Sequence, residues 1–156
     1  MTGEKLLDSR EIALADPAAT LALGRRLGAR LSPGDVVCLS GGLGAGKTTL
    51  ARGAIEAWTG RPEEAPSPTY TLVQTYEGER GLLWHVDLYR LKRPEEAWEL
   101  GLEEAFFEAA CLIEWPERLQ GQLPSDRLDI ALTESGDGRR ARLLGGGRWS
   151  SRVDTI

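Results

Sequence analysis

The run Gly41-Gly42-Leu43-Gly44-Ala45-Gly46-Lys47-Thr48 matches G-x-x-x-x-G-K-[ST] at every specified position. These residue types follow from the chemistry of holding phosphates. Phosphate oxygens must approach backbone N–H groups closely, and side chains would block them. Glycine also reaches backbone angles closed to other residues. Lys47 supplies a charge for the β- and γ-phosphates, Thr48 a hydroxyl for Mg²⁺, and Thr49 a donor for a phosphate oxygen. A helix starting here adds roughly half a positive charge at its N-terminus. The spacing therefore predicts a nucleoside triphosphate bound with Mg²⁺ across 41–49. The dinucleotide-binding pattern G-x-G-x-x-G does not occur.

Phosphoryl chemistry at such a loop also calls for a carboxylate at the tip of a neighbouring strand. Glu114 ends the apolar run 110–113 and fits that place. Asp87 lies in Trp84-His85-Val86-Asp87-Leu88-Tyr89, where polar and apolar residues alternate, and could sit behind the metal or orient a water. Either acid could instead be solvated or ion-paired. Ser67-Pro68-Thr69-Tyr70-Thr71 is rich in hydroxyls. In nucleotide switches a loop of this kind closes over the γ-phosphate. Its plainer reading, which the residues alone slightly favour, is a turn entering a strand. Trp115 follows Glu114 and could stack on a ligand or partner, or pack at a rim. His85 reads as a structural histidine.

The elements needed to position these residues are legible in the pattern. Asp16 as N-cap, Pro17 at the first helical position and Leu21, Leu23, Leu27 and Leu31 on one face predict a helix over 16–31. The β-branched run 35–39 predicts a buried strand leading into the glycine loop, and 48–58 a helix leading out. Strands are expected over 71–76, 82–89, 109–113, 126–133 and 140–144, with helices starting at 94 and over 102–108. Strands alternating with helices favour an α/β fold: a three-layer P-loop NTPase-like domain with a mixed, mainly parallel core sheet. Hairpins over 71–89 and 126–144 are expected at its edges.

The chain has 156 residues, fitting one domain over 1–144, with a glycine-rich tail over 145–156 expected to fray. Hydrophobic residues make up 41% and charged ones 28%, as in soluble globular proteins. No stretch reaches the roughly eighteen apolar residues of a membrane helix, and the N-terminus is too polar for a signal peptide, so a cytoplasmic protein is expected. Cys38 and Cys111 read as buried thiols, and a lone histidine rules out a His-rich metal site. A net charge of −5 argues against tight direct nucleic-acid binding as the leading idea, although Arg139, Arg140 and Arg142 could form a local patch.

Four segments, in this order, carry a resemblance to the TsaE family (older name YjeE), small bacterial ATPases of the tRNA threonylcarbamoyladenosine pathway. They are Gly42-Leu43-Gly44-Ala45-Gly46-Lys47-Thr48-Thr49, Ser67-Pro68-Thr69-Tyr70-Thr71-Leu72-Val73, His85-Val86-Asp87-Leu88-Tyr89-Arg90-Leu91 and Glu114-Trp115-Pro116-Glu117. The resemblance spans about 9–144. It implies Mg-ATP bound at 44–49, Mg²⁺ held by Thr48 and Glu114, and Asp87 supporting metal and water. It implies that Ser67, Thr69 and Thr71 lie in a switch-like loop and that Trp115 flanks the site. Ser9 and Arg139 resemble positions bordering the nucleotide base. It also implies partners, the TsaB–TsaD pair that transfers a threonylcarbamoyl group to an adenosine of tRNA, with tRNA met only indirectly. Two other readings of the residues are a small P-loop kinase acting on a metabolite or nucleoside, and a nucleotide-binding module without catalysis.

Overall fold

Two short apolar runs, VVCLS and ACLIE, set the centre of the fold. They form β2 (Val36–Ser40) and β5 (Ala110–Glu114), paired in parallel. Every residue of β5 is buried, as in a strand covered on both faces. The computed structural model describes residues 7–42, 44–62 and 72–156. The expected switch-like residues Ser67, Thr69 and Thr71, and the loop residue Leu43, lie outside these.

The remaining elements in chain order are β1 (Leu7–Leu14), α1 (Pro17–Arg30), α2 (Lys47–Thr59), β3 (Val73–Gly78), β4 (Gly81–Asp87), α3 (Pro94–Glu99), α4 (Leu102–Glu108), β6 (Leu128–Ser135) and β7 (Gly138–Gly146). The seven strands form one sheet in the order β1-β7-β6-β2-β5-β4-β3. Its middle, β6-β2-β5-β4, is parallel, and the antiparallel pairs lie at its two sides. The α/β expectation of a mixed sheet with a mainly parallel core is the architecture observed.

Alternation along the strands divides the core into two layers. Val37, Leu39, Leu83 and Leu112 pack with α1 and α2, whereas Val36, Cys38, Val86 and Ile113 pack with α3 and α4. Cys38 and Cys111 are buried free thiols, and burial pushes the Cys111 thiol up to about 12. Helix α1 begins as expected, with the Asp16 carboxylate accepting from the Ala19 N–H at 2.9 Å. Helices α1 and α2 touch through glycine. A Cβ at Gly28 would lie 2.8 Å from the Ala54 Cα, so only hydrogen fits.

Two regions differ from expectation. Strand β1 has no apolar alternation to announce it, because it is an edge strand whose order comes from pairing with β7. The tail 145–156 does not fray. Strand β7 continues to Gly146, two 3₁₀ turns follow, and Trp149, Val153 and Ile156 enter the α1–α2 side of the core. The Arg152 guanidinium grips Asp35 at 2.8 and 3.0 Å, and Arg10 donates to the Ile156 carbonyl at 2.7 Å. Glycine-rich composition suggested looseness, but buried side chains and a paired carboxylate anchor the segment. Among the described residues, no helix is long and apolar enough to cross a membrane.

Candidate functional site

The site forms where three parallel strands end. Pairing sets Leu39 of β2 level with Glu114 of β5, and Glu114 level with Asp87 of β4. Both acids share the sheet face of Leu83 and Leu112, the face covered by α2. The chain leaves β2 at Ser40 and turns back into α2 at Lys47. That turn needs left-handed backbone, taken by Gly41 (φ 140°), Gly44 (φ 77°) and Gly46 (φ 104°). At Gly41 a side chain would also strike the Leu132 carbonyl oxygen, 2.6 Å from an ideal Cβ.

Lys47 opens α2 and is only 5% exposed. Its ammonium donates to the Gly41 carbonyl at 2.6 Å and lies 3.6 Å from the centre of the Trp115 ring. Among the described residues, no carboxylate pairs with it. Burial lowers the lysine below its ordinary value, against the pull of Glu114, Glu117 and Asp87. A buried cation without a counter-ion is suited to receive an anion. Trp115 reaches it from a left-handed backbone (φ 61°, ψ 51°), a conformation costly for a bulky residue and typical of functional sites. Tyr89 packs against the Trp115 ring, 5.0 Å between centroids.

Glu114 is 3% exposed and holds His85 by a 2.7 Å contact between Oε2 and Nε2. Asp87 accepts from the Tyr89 N–H at 3.0 Å. Burial raises its carboxyl above the ordinary value; the Tyr89 bond opposes this, and Glu114 adds to it. Thr48 and Thr49 occupy the first turn of α2, both partly exposed. Thr49 also lines a cavity of about 200 Å³ together with Gly44, Gly46, Asp16, Thr20 and Arg139. Arg139 reaches across from β7 to donate to the Gly44 carbonyl at 3.1 Å.

The fold thus gathers Gly42, Gly44, Ala45, Gly46, Lys47, Thr48, Thr49, Asp87, Glu114, Trp115 and Arg139 at one edge of the sheet. It does not bring Ser9 there. Ser9 pairs with Leu144, which is level with Asp129 and so with Cys38, three strands from β2 and short of the loop end. Leu43 and Thr69 lie outside the described residues. The contact of His85 with Glu114 was not foreseen from the sequence; His85 sits two residues before Asp87 on the same face of β4. A period-2 reading of WHVD would have aimed both side chains together. Nor were Asp16 and Thr20 foreseen as cavity walls, since their signals were those of a helix start.

The donor set suits a hydrated Mg²⁺ bridging to phosphates. Such a metal takes one or two protein oxygens and leaves the rest to phosphate and water. Thr48 and Glu114 are the residues that would supply them. Among the described residues no group of three His, Cys, Asp or Glu forms a cage, which an all-protein site would require.

Comparison with known proteins gives consistent results. A family model described as "Threonylcarbamoyl adenosine biosynthesis protein TsaE" matches residues 14–142. A Rickettsia bellii protein named tRNA threonylcarbamoyladenosine biosynthesis protein TsaE is 39% identical over 87% of this chain and 94% of its own length. A Bacillus subtilis protein of the same name is 39% identical over 80% of this chain and 78% of its own. The crystal structure of Bacillus subtilis YdiB superposes with a TM-score of 0.78 at 30% identity, covering 97% of this chain and 95% of that one.

Proposed function

The chain belongs to the TsaE family of threonylcarbamoyladenosine biosynthesis proteins, and from that premise we propose that it is a Mg-dependent ATPase serving tRNA modification. The observation carrying this reading is the buried ammonium of Lys47 at the start of α2, which pairs with no carboxylate among the described residues, with Glu114 in register beside the loop.

On this reading the amides of 42–49 and the α2 N-terminus hold the phosphates. Lys47 leaves the Gly41 carbonyl to neutralise the β- and γ-phosphates. Thr48 and Glu114 would hold Mg²⁺, which would supply charge neutralisation for transfer of the γ-phosphoryl group to water. Asp87, with its raised carboxyl, orients that water or the water shell of the metal. Trp115 excludes bulk solvent from Lys47. The cavity beside Thr49 and Arg139 receives the nucleoside, and Arg139 fixes the loop through Gly44. ATP rather than GTP fits the absence of an N-K-x-D guanine-reading motif.

The partners on this reading are TsaB and TsaD, with hydrolysis driving or resetting their complex and tRNA met through them, in the cytoplasm. Phosphate release should rise when TsaB and TsaD are added. Glu114→Ala should lower Mg-dependent turnover by about 10²-fold or more while metal-free nucleotide binding persists. Turnover indifferent to the partners would count against the switch and favour the kinase reading. Equal loss of turnover and metal-free binding would remove Glu114 from the metal.

A further inference from the structure

We propose that His85 is a positioning residue for Glu114, and through it for the metal. The inference rests on reading Glu114 as a Mg²⁺ ligand. His85 is fully buried in β4, level with Leu112, so it lies two residue pairs below Glu114 and Asp87, and next to them on the α2 face. Its Nε2 is 2.7 Å from Glu114 Oε2, with side-chain exposures of 1% and 3%. Its Nδ1 is buried and has no hydrogen-bond partner among the described residues.

The Nε2 contact assigns a ring proton. An ionised carboxylate only accepts hydrogen bonds, so the ring must donate from Nε2. The proton on Nε2 is therefore the one held by Glu114. The bond occupies Oε2 and leaves the remaining lone pairs of the carboxylate for a metal. It also holds one Glu114 rotamer at the strand tip before any ligand arrives. Hydrogen-bonded support of this kind orients ligating carboxylates in metal sites, and its loss typically weakens metal affinity about 10- to 100-fold. A histidine that only filled space would not need its polar edge against the single acid that ends β5.

Two measurements test this. The chain has one histidine, so its ring ¹⁵N signals are unambiguous. The free wild-type protein should show a protonated Nε2, which shifts when Mg²⁺ and a non-hydrolysable ATP analogue are added. A ring protonated on Nδ1 alone would overturn the proposal. The second measurement titrates Mg²⁺ against binding of a fluorescent ATP analogue. His85→Phe should raise the Mg²⁺ requirement about tenfold or more and keep metal-free affinity within about twofold of wild type. His85→Gln keeps an N–H donor and should recover most of the loss. A wild-type Mg²⁺ requirement in His85→Phe, or a His85→Gln variant as impaired as His85→Phe, would also overturn it. Glu114→Ala run in parallel separates the two levels. If it shifts the requirement while His85→Phe does not, only the positioning role falls. If Glu114→Ala has no effect, the metal reading falls and takes this inference with it.

Discussion

At the scale of single residues the site depends on a lysine kept out of water. Burial disfavours the charged form of Lys47, so its pKa lies below the ordinary 10.5. Two effects of opposite sign follow. The unfolded chain holds the proton more tightly, so this group's contribution to stability improves as pH rises through the window between the lowered value and 10.5. Bound phosphates favour the charged form, so nucleotide affinity should instead fall with rising pH, starting below the ordinary lysine range. Calorimetry from neutral to moderately alkaline pH reads this directly. Affinity that stays flat until the ordinary lysine range would show that Lys47 is not desolvated. The glycine loop, Lys47, Thr48 and the acids Glu114 and Asp87 were legible because their chemistry fixes residue type and spacing. The Lys47–Trp115 contact was not, since it depends on a left-handed backbone at a tryptophan, which no local pattern encodes. Ser9 lies away from the glycine loop, a position set by the register of an edge strand that the sequence does not reveal.

Among the elements, the α1–α2 contact holds the glycine loop in place, because α2 is the loop's continuation. Gly24, Gly28 and Gly53 let the two backbones touch. At Gly28 an added methyl would press on the Ala54 backbone, which cannot yield as a flexible side chain would. The overpacking cost outweighs the gain in helix propensity, and Gly28→Ala should lower stability by about 1–3 kcal/mol. Urea unfolding measures this, and a variant as stable as wild type would mean the helices can separate freely. The long, periodic or strongly apolar elements α1, β2, α2 and β5 were readable within a residue or so at each end. Elements defined by partners, such as β1 and the 3₁₀ turns after Gly146, were not.

Across the whole molecule two averages mislead. The glycine content of 145–156 suggested a loose end, yet Arg152 pins the segment to Asp35, a buried carboxylate beneath β2. Arg152→Ala leaves that carboxylate with the Ser32 N–H as its remaining partner, which should cost about 1–3 kcal/mol by denaturant unfolding. No change would mean that water replaces the guanidinium. Net charge is the second average. Six of the 24 acidic residues lie in 94–111, a stretch without Lys or Arg, leaving the rest of the chain with 18 acidic against 19 basic residues. The acidity is a property of the α3–α4 face and says nothing about the edge where the strands end. That edge is where the central claim is tested most directly: titrate Mg-ATP calorimetrically into wild-type protein and into Lys47→Ala. The proposed phosphate site at Lys47 predicts saturable one-to-one binding in the wild type and none detectable in the variant. Equal affinity in the two proteins would contradict it.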